Sequence, residues 1–243
     1  MKKKLLVLAV LALAACVEVA PPAPRPAGRP LPAAGPVLAP ADAARNFVAV
    51  VARMEPLVEQ ECLARRARTN CDFQIVVDDR PDQPPNAYQT LDPSGRPIIA
   101  FTLPLIADAR NPDELAFIMG HEAGHHIAAH IPRQQQEAML GATILGVLTA
   151  ATGGSESQVQ SAQNIGGTLG ARRYAKDYEL EADRIGTILA WRAGYDPELG
   201  AAYFSRIPDP GNAFLGTHPP NANRITIIRQ TLARLKRRAA LAP

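Results

Sequence analysis

The segment "NPDELAFIMGHEAGHHIAAHIP", residues 111–132, holds four of the five histidines in the chain, His121, His125, His126 and His130. Asn111 can cap a helix, Pro112 suits a first turn where no N–H is needed, and Glu114 stands three residues after the cap. The segment is therefore predicted to be one helix, with Pro132 expected to close it. Each residue advances about 100°, so with His121 at 0° the others fall at about 40° (His125), 140° (His126) and 180° (His130). The two histidine pairs, each four residues apart, then point to different faces, and one metal ion cannot use both.

Only the first pair has a glutamate beside it. In "HEAGH", His121 and His125 lie one turn apart, and Glu122, at about 100°, is near enough to their face to take a proton from a water activated by the metal. In "HIAAH" the same place holds Ile127, which offers no base. His126 and His130 are therefore expected to be packed or hydrogen-bonded histidines. Two imidazoles leave a catalytic site short of its usual three protein ligands. The missing one is sought in "YELEADRIG", where Glu179 and Asp183 stand four apart on another predicted helix. There one carboxylate can bind metal while the other orients a ligand histidine from outside. Glu181 is the poorer choice, because it lies on another side of that helix.

Around these helices the pattern changes. "AARNFVAVVARMEPLVEQECLARRA" has apolar residues at helical spacing, with Pro56 a candidate kink. "DFQIVV", "AYQTLD" and "PIIAFT" read as strands, the last two joined by a turn through Pro93, Ser94 and Gly95. Three strands followed by helices give an α+β domain. Cys62 and Cys71, nine positions apart between the first helix and the first strand, are candidates for a disulfide in an oxidising compartment, worth about 2–3 kcal/mol by loop entropy.

The N-terminus sets the compartment. Lys2–Lys4 precede "LLVLAVLALAAC", a basic and then apolar leader too short to span a bilayer. Its "LAAC" ending resembles a lipoprotein signal, which implies cleavage after residue 15 and acylation of Cys16. Val17 then favours the outer membrane over the inner. Those three lysines account for the whole formal charge of +3. No basic run interleaved with aromatics remains, so nucleic acid is excluded as a partner. Residues 16–42 are expected to be a lipid-bearing, proline-rich tether, extended and with a reach of about 70 Å. Residues 43–243 are expected to be one domain.

"HEAGH", followed 54 residues later by "ELEAD", with "NAY" upstream and "THPPNANRI" downstream, resembles the M48 family of gluzincin metallopeptidases, in particular its periplasmic, membrane-associated members. The resemblance implies a zincin-type, mostly helical domain with a small three-stranded sheet and the HExxH helix at the cleft. It implies one Zn2+ per chain, held by His121, His125 and Glu179, with Glu122 as catalytic base and Asp183 outside the ligands. It implies that Asn86, Ala87 and Tyr88 form an edge strand that pairs with an extended substrate. His218, in the downstream loop, is implied to lie near the zinc, either stabilising the oxyanion or filling the open metal position at rest; Arg224 is a second oxyanion candidate.

The activity implied is that of a periplasmic zinc metalloendopeptidase acting on unfolded or misassembled envelope polypeptides. The alternative is a chaperone-like outer-membrane assembly factor with a mostly latent site, for which an assembly-machinery partner would be expected. No 34-residue helical repeats follow the domain, which favours the enzyme. Residues 133–172, apolar and glycine-rich, leave three readings open: a packed helix pair, a flap over the cleft, or a membrane contact.

Overall fold

The computed structural model describes residues 29–65, 69–209, 211 and 219–241. Cys16 and His218 lie outside the described residues. Helix α1, Pro40–Arg65, buries Val50, Met54, Val58 and Cys62 on one stripe that continues past Pro56. The compact unit begins earlier, at Leu31. Leu31 and Leu38, large apolar side chains among the prolines, pack against the core, and the Ala34 carbonyl accepts from Asn111 Nδ2 at 2.8 Å. The end of the proline-rich segment is thus held against the domain.

Strands β1 (Gln74–Asp78), β2 (Ala87–Leu91) and β3 (Pro97–Thr102) form a sheet in the order β1-β3-β2. β3 is central, parallel to β1 and antiparallel to β2, and it reads as an apolar run because Ile99, Ala100 and Phe101 are all buried. The turn between β2 and β3 is built by Asp92, whose carboxylate accepts from Ser94 and Arg96, with Gly95 at φ 83°. Cys62 and Cys71 are joined by a disulfide across a Cα separation of 5.7 Å, tying the end of α1 to the approach to β1.

The remainder is helical: α2 (Leu103–Asp108), α3 (Pro112–Ile127), α4 (His130–Ala151), α5 (Glu156–Arg173), α6 (Ala175–Arg192), the single turn α7 (Pro197–Gly200), a 3-10 turn (Ala201–Ser205) and α8 (Asn221–Leu241). The architecture is α+β, with α3 packed between α1, α6 and the sheet. The Asn111 side chain caps α3, accepting from Glu114 N at 2.9 Å. The Glu114 side chain does not close a capping box. It is fully buried, accepts from Arg110 N, and pairs with Arg206 at 2.6 and 2.8 Å, which fastens the 3-10 turn to the start of α3.

The helix expected to run to Pro132 stops at Ile127. Ala129 adopts a left-handed conformation, φ 57°, and a new helix starts at His130. Pro132 falls in the first turn of that helix, where its missing N–H costs nothing. It therefore marks a start rather than a stop, and the 180° projection of His130 fails because the helix on which it was drawn has ended.

Candidate metal centre and cleft

The site begins with two helices that touch through their backbones. Gly120 and Gly124 on α3 face Gly186 and Ala182 on α6; a Cβ at Gly186 would stand 2.7 Å from His121 N, and one at Gly124 3.1 Å from Ala182 Cα. Such an approach admits no larger side chain, and it lets short carboxylates on α6 reach the histidines on α3. His121 Nε2 lies 3.1 Å from His125 Nε2 and 3.6 Å from Glu179 Oε2, while His125 Nε2 lies 3.4 Å from Glu179 Oε1. Among the described residues these three are the group of His, Cys, Asp and Glu side chains able to hold a metal ion.

The hydrogen bonds behind each imidazole fix its tautomer. Asp183, wholly buried, has Oδ1 2.9 Å from His121 Nδ1. A carboxylate only accepts, so Nδ1 carries a hydrogen and Nε2 is the ring nitrogen turned toward the cluster. Arg224 holds that carboxylate with Nε at 2.8 Å from Oδ2 and Nη2 at 2.7 Å from Oδ1. Arg224 Nη2 is also 3.2 Å from His121 Nδ1, but with the hydrogen on Nδ1 both groups are donors and they meet only through Asp183.

A parallel brace stands behind His125. Its Nδ1 is 2.9 Å from His130 Nδ1, and His130 Nε2 is 3.2 Å from Glu181 Oε2, which also accepts from Arg133 at 2.9 Å. Glu181 accepts, so His130 donates through Nε2 and accepts at Nδ1 from His125, which turns His125 Nε2 toward the cluster. Burial, reinforced by the nearby His125, pushes His130 down to about 4 and keeps it neutral, as this relay requires. Tyr178 stacks on the His130 ring with centroids 4.5 Å apart. His126 points elsewhere, its Nε2 2.8 Å from the Asn70 carbonyl and its ring against Phe73.

Burial opposes charge on His121, but the carboxylates of Asp183 and Glu179 outweigh it and push His121 up to about 10. Asp183 is held below the ordinary carboxylate range: burial works against this, and Arg224 and His121 prevail. Burial pushes Glu122 above that range.

A cleft of about 590 Å³ opens over the cluster, and Glu122 lines it together with the three candidate ligands. One wall is the sheet edge from Pro85 to Gln89; the base of α4, the start of α6 and Arg224 form others. Asn86 bonds Thr102 through both its N–H and its carbonyl. By antiparallel alternation, Ala87 and Gln89 therefore turn their main-chain groups away from β3, along the open edge. The Tyr88 hydroxyl donates to Asp78 at 3.1 Å, which secures the strand to the end of β1.

Most of the residues singled out in the sequence thus meet at one place: His121, Glu122, His125, Glu179, Asp183, Arg224 and the strand at 86–88. His130, Glu181 and Tyr178 join them, although the helical projection placed His130 on the opposite face. The close approach has a signal in the sequence that the expectations above did not use: Gly120 and Gly124 stand four apart on the histidine helix.

Comparison with known proteins agrees with this geometry. The chain is 29% identical over 142 residues to a putative beta-barrel assembly-enhancing protease of Vibrio cholerae, covering 52% of this chain and 29% of that protein. It is 29% identical over 143 residues to the mitochondrial metalloendopeptidase OMA1 of Arabidopsis thaliana, covering 57% and 28%. To the metalloprotease LoiP of Escherichia coli it is 27% identical over 134 residues, covering 53% of each. The chain thus spans less than a third of the length of the first two and about half of the third. The profile of peptidase family M48 matches residues 50–232, which take in both helices of the cluster and the whole sheet, and the chain belongs to that family.

Proposed function

We propose that this chain is a zinc-dependent endopeptidase of the bacterial periplasm that cleaves unfolded or misassembled envelope polypeptides. The observation that carries the reading is the cluster of His121, His125 and Glu179 donor atoms. A tetrahedral ion with ligands at about 2.0–2.1 Å separates any two of them by about 3.3 Å. The two imidazole Nε2 atoms stand 3.1 Å apart, and the Glu179 carboxylate brings Oε2 to 3.6 Å from His121 Nε2 and Oε1 to 3.4 Å from His125 Nε2, spacings that bracket that value. Two imidazoles and one carboxylate, each imidazole held from behind, are the donor set that suits zinc with one position left open.

His121, His125 and Glu179 would hold the ion. When bound, zinc supplies the Lewis acidity that polarises a peptide carbonyl and makes a water acidic enough to lose a proton near neutral pH. Glu122 accepts that proton and returns it to the leaving amine nitrogen, and its raised pKa serves both the base and the acid role. Asp183 with Arg224, and His130 with Glu181, keep the two imidazoles aimed. Arg224 is bound to Asp183, so its first duty is to that carboxylate; His218 is the better proposal for the oxyanion.

Extended substrate would add to the edge of β2 through the main chain of Ala87 and Gln89. Backbone pairing of that kind gives affinity with little sequence preference, as suits unfolded clients. The names of the bacterial relatives support an envelope setting. Within it we place the chain on the outer membrane by a lipid at Cys16, with an assembly-machinery partner as a further proposal. The test is digestion of an unfolded polypeptide by wild type and by Glu122→Gln, both zinc-loaded. Cleavage should vanish in the variant while zinc stays bound; cleavage that survives would remove Glu122 from the mechanism.

A further inference from the structure

Helices α4 and α5 form a hairpin that is built inside out. Their contact is lined by glycine: a Cβ at Gly141 would stand 2.1 Å from Gly166 O, and one at Gly170 2.1 Å from Glu137 O. With no room between the helices, the large apolar side chains face outward. Leu140, Ile144, Val147 and Leu148 are 56–63% exposed, and at helical spacing they form one stripe on the side of α4 away from the seam.

We propose that this stripe docks α4 along a lipid bilayer surface bearing anionic headgroups. Four observations favour lipid over water or protein as its partner. Among residues 138–171, Glu156 is the single charged residue, so the stripe offers no charge to match that of a charged protein partner. Packing glycine against glycine, with apolar side chains outward, is how helices associate where hydrocarbon is the solvent. Thr143, Thr149 and Thr152 donate their hydroxyls to carbonyls four residues back on the same helix, so these donors need no water. At the base of the hairpin, where Arg133 is paired with Glu181, Arg172, Arg173 and Lys176 still outnumber Glu137 and Asp177, and Tyr174 lies 37% exposed under the Arg173 guanidinium. Aromatic and basic residues in that position suit the headgroup layer.

The contact is interfacial. No helix among the described residues is long and apolar enough to cross a membrane, and Glu156 sits at the hairpin tip, which disfavours end-on insertion. The base of α4 contributes His130, Ile131 and Gln134 to the cleft wall, so a seated stripe holds the cleft beside the membrane. This inference needs neither the peptidase activity nor a lipid on Cys16.

The experiment uses the full chain carrying an environment-sensitive fluorophore on Ile144→Cys or Leu148→Cys, with Val48→Cys on α1 as reference and labelled wild type as background. Vesicles are phosphatidylcholine alone or mixed with phosphatidylglycerol, with and without acyl-chain spin labels. Emission at 144 and 148 should shift to the blue and be quenched by the acyl-chain labels, more on anionic vesicles, while position 48 stays unchanged. Adding Val147→Lys should abolish the shift with circular dichroism unaltered. Emission that ignores vesicles would overturn the proposal. So would a blue shift that appears without lipid and grows with protein concentration, which would make the partner a second copy of the chain.

Discussion

Replacing Gly186 with alanine tests how the site is assembled. The added Cβ would meet His121 N at 2.7 Å, Gly120 C at 3.0 Å and His121 Cα at 3.1 Å. All three are backbone atoms, so no side chain can swing aside. Restoring ordinary contact of about 3.4 Å requires α3 and α6 to part by roughly 0.7 Å, and overpacking of this kind costs about 1–3 kcal/mol. The same displacement would lengthen the 2.9 Å contact between Asp183 and His121 beyond hydrogen-bonding range. It would also carry Glu179 outside the roughly 0.2 Å tolerance of a metal site. Loss of such support typically lowers metal affinity 10–100-fold, about 1.4–2.7 kcal/mol. The assay is zinc competition against a chromophoric chelator, beside urea unfolding of the metal-free protein. Gly124→Ala serves as the graded control: its closest contacts, 3.1–3.3 Å, ask for a shift of only a few tenths of an ångström, so its effect should be smaller. A Gly186→Ala protein with wild-type stability and zinc affinity within twofold would refute the claim that backbone contact sets the ligand geometry.

Further outcomes follow from other contacts. His130→Ala removes the acceptor behind His125 and should weaken zinc about 10-fold or more, whereas His126→Ala, which touches Asn70 instead, should leave affinity unchanged in the same titration. Replacing Cys62 and Cys71 together by serine opens the nine-residue link and should lower urea stability by about 2–3 kcal/mol, the difference disappearing when both proteins are compared under reducing conditions. Asp78 is held below the ordinary carboxylate range, first by its bond to Arg80. Its contribution is therefore present above the unfolded carboxyl pKa near 4 and lost as pH falls toward and through the lower folded value. The stability gap between wild type and Asp78→Asn should accordingly be full at neutral pH and close in strong acid, as read by thermal unfolding across pH.

The parts that could be read early were those written in local chemistry. Short runs bounded by turn residues, β-branched in "DFQIVV" and "PIIAFT", marked the three strands, and Asn111 with Pro112 located the start of α3. The glutamate beside His121 separated one histidine pair from the other. What escaped depended on one short local departure and on contacts between distant parts of the chain. At Ala129 a single left-handed residue ends the helix and re-aims His130, and no periodicity of the surrounding residues announces it. The turn at Asp92 joins β2 to β3, but no local signal shows that β1 pairs in parallel with the other edge of β3 and leaves it in the centre. The outward stripe of α4 reads as a core helix by composition alone. Only the glycines opposite it on α5, which leave no room for large side chains between the helices, show that it faces out.

Metal analysis of the purified chain asks whether His121, His125 and Glu179 hold one zinc ion. Elemental mass spectrometry should find one zinc per wild-type chain, one in Glu122→Gln, and well below one in His125→Ala and in Glu179→Ala after mild chelation. Full zinc occupancy in the Glu179→Ala protein would contradict the assignment.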